Sequence, residues 1–157
     1  MMKALLWALG AMAAMGQGPA LAQMAAEPVP GLFPYRDAER VERGAALYAE
    51  NCASCHGADL AGAPDWKTRD ADGYLPAPPH DETGHTWHHA DAQLLEIVMH
   101  GTEALVGGDY KSNMSGFADV LSRDEIVDIM AYIKSTWPAE VVRIHNEINA
   151  RAAAFPD

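Results

Sequence analysis

Apolar residues recur along this chain at spacings of three and four, and no stretch alternates apolar with polar for long enough to make a strand. The pattern predicts an all-α domain with long loops. The clearest helix start is at Ser122, where Ser122 and Glu125 are spaced for a capping box and Leu121 and Ile126 for a hydrophobic staple. Ile126, Ile129, Met130, Ile133 and Trp137 continue that helix's apolar stripe, and Pro138 ends it or begins the next element. An earlier helix begins after Asp37, a good N-cap, with Glu39 and Glu42 suited to the positive end of its dipole. Val41, Ala45, Tyr48 and Cys52 share one of its faces. Gly44 lies on the same side, either to admit another helix at close range or as a tolerated cost in helix stability. A third helix is expected from about Asp91 to His100, with Leu94, Leu95 and Val98 on one face and Gly101 as its stop. After Pro138, Val141, Ile144, Ile148 and Phe155 suggest a further amphipathic helix, folded back over its own domain or offered to a partner subunit.

The first helix runs into Cys52-Ala53-Ser54-Cys55-His56. Two thiols three residues apart, followed at once by a histidine, are the attachment signature of a c-type haem: the thiols bond the porphyrin and the histidine takes the iron. These are the 2 cysteines of the chain, so one covalent haem is implied. A redox disulfide would call for a βαβ context that the pattern lacks, and a zinc site for two more ligands. The stretch between His56 and Asp91, rich in Gly, Pro, Asp and His, is too long for an idle connection and is expected to wrap the haem. Trp66, Tyr74, Pro76, Pro78 and Trp87 supply flat or rigid surface there, and an indole N–H such as that of Trp87 can bond a propionate. For the second axial position the candidate is Met114, in a loop ahead of the capped helix. Met99 instead follows Leu94, Leu95 and Val98 inside a helical pattern and reads as packing.

Residues 1–22 read as a cleaved export signal. Lys3 precedes an apolar run from Ala4 to Met15, too short to span a bilayer, and Ala20-Leu21-Ala22 has the small residues read at a cleavage site. The expected location is the periplasm, with no transmembrane anchor after cleavage. Residues 23–36, with Pro28, Pro30 and Pro34, read as an extended arm; residues 37–137 are the haem domain, and residues 138–157 a helical extension. A formal net charge of −11 argues against nucleic acid and anionic membrane surfaces as partners.

Tyr48 and Asn51 before Cys52-Ala53-Ser54-Cys55-His56-Gly57, then Met114-Ser115-Gly116-Phe117 ahead of a helix carrying Tyr132-Ile133-Lys134, resemble a class I monohaem cytochrome c. The resemblance covers roughly Asp37 to Trp137. It implies thioether bonds at Cys52 and Cys55, iron ligation by His56 and Met114, Phe117 beside the haem, and the first helix packed on the last near Gly44. It also implies a proline carbonyl that orients the proximal histidine: Pro78 is the best match, with Pro64, Pro76 and Pro79 open. Where the family often has proline after the ligand methionine, this chain has Ser115. The implied function is single-electron transfer between redox partner proteins, as a free carrier or as the haem subunit of a larger oxidoreductase. Two rivals remain. His80, His85, His88 and His89, with Asp81, Glu82 and Asp91, offer ligands for copper or zinc, and an open sixth position would make a peroxidase-like or sensor protein.

Overall fold

The computed structural model describes residues 31–155. The expected leader and the arm up to residue 30 lie outside the described residues. Six α-helices follow one another: α1 (Ala38–Asn51), α2 (Ala53–His56), α3 (Asp91–His100), α4 (Thr102–Val106), α5 (Arg123–Ser135) and α6 (Ala139–Ala154), with a 3-10 turn at Thr86–His88. Among the described residues there is no strand, only an isolated bridge between Gly101 and Ser115, and no helix is long and apolar enough to cross a membrane.

The largest helix contact is the crossing of α1 and α5. Asp37 caps α1, its carboxylate accepting from the backbone N–H groups of Glu39 and Arg40. Ser122 and Glu125 close the expected capping box on α5. At the crossing, a Cβ on Gly44 would stand 1.9 Å from the Asp128 carbonyl oxygen and 3.0 Å from the Tyr132 Cβ. Only a glycine lets the backbones approach so closely. Arg40 and Arg43, on the same face of α1, both pair with the buried Asp128 carboxylate, Arg43 Nε at 3.0 Å. The inward face of α1 is therefore centred on Gly44 and Tyr48, with Val41 and Ala45 half-buried at its flank. The chain leaves this face at Cys52.

A buried polar cluster ties the remaining elements together. Asp91, at the start of α3, accepts the backbone N–H of Leu32 at 2.6 Å and of Phe33 at 3.1 Å, and the Asn149 amide at 2.9 Å. His145 Nε2 lies 3.3 Å from its carboxylate and donates to the His89 carbonyl at 2.9 Å. Lys134 Nζ, fully buried, lies 3.8 Å from the same carboxylate and 5.0 Å from the Tyr35 ring centre. The inward face of α6 is thus set by His145 and Asn149, with Val141 and Val142 beside them. This corrects the expected stripe: Ile144 and Ile148 are half-buried flanks and Phe155 is exposed. Asp91, a possible metal ligand by sequence, is consumed by these bonds.

Two outcomes follow from the packing. Gly44→Ala gains about 1 kcal/mol of helix propensity but drives a methyl into a backbone carbonyl. A net loss of about 2 kcal/mol or more is expected in denaturant unfolding of the haem-loaded protein. Burial holds His145 below its ordinary 6.5, with Lys134 acting in the same sense and Asp91 opposing. A histidine depressed in the folded state keeps its full contribution above 6.5 and loses it as pH falls from there toward the folded value, because the unfolded chain takes the proton first. The thermal midpoint should fall on acidification below that pH, with a shallower slope in His145→Gln.

Candidate functional site

Cys52 closes α1, its backbone N–H donating to the Tyr48 carbonyl, and the single turn of α2 carries Cys55 and His56. Both thiols are free, Cys55 exposed and Cys52 half-buried. Burial, and after it the neighbouring Cys55, pushes the Cys52 thiol up to about 11. A catalytic Cys-x-x-Cys pair needs the opposite shift, because its thiolate is the nucleophile. The Tyr48 hydroxyl donates to the Gly57 carbonyl at 2.8 Å, so the tyrosine of the α1 core face also ties down the residue after the motif.

His56 is buried with Nδ1 2.8 Å from the Pro78 carbonyl. A carbonyl only accepts, so Nδ1 carries the proton and Nε2 presents its lone pair. Burial lowers the His56 pKa and the Pro78 bond opposes that shift; the ring is held neutral, as a metal ligand must be. Gly62 makes this approach possible. It has φ +70°, and a Cβ there would lie 2.5 Å from the Pro79 nitrogen and 2.6 Å from the Pro78 carbonyl carbon. The Gly62 N–H donates to the His56 carbonyl, and the Ala63 N–H to the Ala77 carbonyl, each at 2.8 Å. The two ends of the loop are thereby laced across the histidine. Of the four candidate prolines, the one whose carbonyl meets the His56 ring is Pro78.

Met114 and Phe117 form a second group, anchored at the end of α3. The Phe117 N–H donates to the Val98 carbonyl at 2.9 Å and the Ala118 N–H to the Met99 carbonyl at 3.2 Å. Met114 is half-buried, with its sulfur 3.9 Å from the Thr102 hydroxyl. Phe117, Trp87 and Met99 pack against the hydrophobic core. The Trp87 indole N–H donates to the Glu82 carbonyl at 3.2 Å, and its ring stacks on His88 at 3.7 Å. In this arrangement Trp87 offers a ring face rather than a free donor.

Two positions carried no signal in the sequence. Gly62 is one glycine among 13 until Pro78 is seen against it. His80, grouped with the loop histidines, instead stacks on His56. Burial, then His56 and His85, push its pKa down to about 3. Of the other loop histidines, His85 lies on the Trp66 face, His88 on Trp87, and His89 bonds Gln93 at 3.2 Å; His85 and His89 also meet edge to face, with centroids 5.4 Å apart. Among the described residues no three His, Cys, Asp or Glu side chains converge as metal ligands do.

Two free thiols beside a neutral histidine with an orienting carbonyl are the donor set of a c-type haem, in an all-helical domain whose first and fifth helices cross at a glycine. The chain belongs to the cytochrome c family, whose model matches residues 41–137, a family that carries covalently bound haem. It is 28% identical over 92 residues to the Cbb3-type cytochrome c oxidase subunit FixP of Azorhizobium caulinodans, covering 59% of this chain and 28% of that protein. The FixP of Sinorhizobium medicae is 26% identical over 100 residues, covering 63% and 31%. A nitrite reductase of Stutzerimonas stutzeri is 33% identical over 125 residues, covering 76% of this chain and 19% of the reductase. The chain thus spans less than a third of the length of each of these relatives. No solved structure gives a significant match.

With no three His, Cys, Asp or Glu side chains converging among the described residues, calorimetry of the haem-loaded protein with zinc or copper should show no tight stoichiometric site. One strong site abolished by His88→Ala or His89→Ala would revive the metal-binding rival.

Proposed function

We propose that this protein is a periplasmic carrier of single electrons with one haem c, thioether-bonded to Cys52 and Cys55 and ligated by His56 and Met114. The observation that carries the reading is the state of His56: Nδ1–H committed to the Pro78 carbonyl at 2.8 Å, beside two free thiols. Haem supplies a one-electron couple, its iron moving between ferrous and ferric. The chain's part is to hold and tune it. Pro78 fixes the tautomer and orientation of His56, and Phe117 and Trp87 supply apolar walls that exclude water. Met114 supplies a thioether, which favours ferrous iron more than a second imidazole would. The periplasmic location rests on Lys3, the apolar run after it and Ala20-Leu21-Ala22.

The FixP relatives, named as oxidase subunits, favour a second arrangement in which the same haem domain delivers electrons inside a larger complex. In either arrangement its partners are redox proteins, and gel filtration of the native protein from its source separates the two.

Haem should survive acid-acetone extraction and denaturing electrophoresis, and Cys52→Ala or Cys55→Ala should impair its attachment. Haem released on denaturation refutes the covalent reading. The ferric protein should be low-spin with the weak far-red band of methionine ligation. Met114→Ala should abolish that band and open the iron to cyanide, while Met99→Ala leaves it in place. High-spin wild-type iron that binds small ligands would favour the peroxidase-like or sensor reading instead.

A further inference from the structure

His80 lies outside the attachment motif, and neither covalent attachment nor axial ligation gives it a task. Its ring is stacked on that of His56, with centroids 4.0 Å apart and planes inclined by 23°. It is held there from several sides. Nδ1 lies 2.9 Å from the Thr86 hydroxyl, the backbone N–H donates to the Leu60 carbonyl at 2.7 Å, and the backbone carbonyl accepts the Trp137 indole N–H at 2.7 Å. Tyr48 meets the ring edge-on, with centroids 6.2 Å apart. Thr86 itself is buried, so its hydroxyl is a fixed point. The His80 imidazole is thus pinned by α1, by the Trp137 that follows α5, and by both arms of the loop.

We propose that His80 is a positioning residue for the proximal ligand: by stacking on His56 it selects one rotation of that ring and keeps its Nδ1–H on the Pro78 carbonyl. The proposal rests on the ligation of iron by His56 given above. A single hydrogen bond at one edge leaves an imidazole free to rock about that contact. A second flat ring against its face removes the freedom, which an aliphatic side chain of similar size would fill but not direct. The orientation has an electronic consequence. A well-made Nδ1–H···O=C bond raises the basicity of the ligating nitrogen, which favours ferric iron. Loosening the stack should therefore weaken that bond and raise the reduction potential.

The test uses the full-length, haem-loaded protein and reads the ferric low-spin g values, the haem-methyl hyperfine shifts and the reduction potential in three variants. His80→Leu should shift the g values and methyl pattern and raise the potential. His80→Phe keeps a flat face and should stay near wild type in all three. Thr86→Val, which removes the hydrogen bond to the His80 ring and the same hydroxyl's long bond to the Pro79 carbonyl without altering either imidazole, should fall between. A His80→Leu protein with wild-type g values and potential but reduced thermal stability would make His80 mere packing and overturn the proposal. If His80→Leu does not accumulate, the other two variants decide, and a Thr86→Val protein indistinguishable from wild type in g values and potential overturns it. A His56→Ala protein with unchanged axial spectroscopy would instead overturn the ligation of iron by His56, a distinguishable failure.

Discussion

The crossing of α1 and α5 at Gly44 is the constraint from which the haem site takes its position. With a Cβ absent, the two backbones meet within van der Waals range of the Asp128 carbonyl, and Arg40 and Arg43 clamp the Asp128 side chain from the opposing helix. The crossing fixes the rotation of α1 about its own axis. That rotation turns Tyr48 inward, where its hydroxyl holds the Gly57 carbonyl, and delivers Cys52 at the edge of the core. A helix free to roll by one residue, about 100°, would present the cysteine to a different side.

The long loop after His56 owes its order to the backbone more than to side chains. Leu60, in the left-handed region at φ 67° and buried, accepts the His80 N–H at 2.7 Å, while Gly62 lets the Pro78-Pro79 segment close over the histidine. On the reading proposed above, a His56 ligand held by an edge hydrogen bond to Pro78 and a face contact with His80 would reorganise little when the iron gains or loses an electron. The second ligand candidate is fixed by a separate device, the lacing of the Met114 loop to the end of α3.

Outside the site, the Asp91, Lys134, His145 and Asn149 cluster joins the N-terminal turn, α3, α5 and α6 through charged and polar groups. A buried carboxylate is costly unless its lone pairs are met, and here two backbone N–H groups and an amide meet them. The cluster therefore specifies which face of α6 turns inward, with His145 and Asn149 buried and Val141 and Val142 packed beside them. Trp137 sits between the two regions, its ring edge-on to His145 at 5.0 Å and its indole N–H on the His80 carbonyl. Packing of α6 and support of the His80–His56 stack are thus physically continuous.

The chain's local chemistry was legible without coordinates. A capping box needs only Ser122 and Glu125, a haem attachment signature only five consecutive residues, and α3 only its apolar spacing and the glycine after it; each depends on residues near in sequence. Even Pro78 stood out among its neighbours, through resemblance to a family. What the sequence could not decide were contacts between residues far apart along the chain. Asp91 meets Asn149 across 58 positions, and His80 receives Trp137 across 57. A histidine in a histidine-rich loop reads as one of a group, and an Asp, Lys or His on an amphipathic helix reads as solvent-facing, because the free-energy cost of burying it is repaid only by partners that tertiary packing supplies. Residue type and spacing determined the elements and the chemistry of the site; the helix crossing, the face of α6 and the stacking of His80 on His56 were decided by the fold, since each exists only when distant groups are brought within bonding reach.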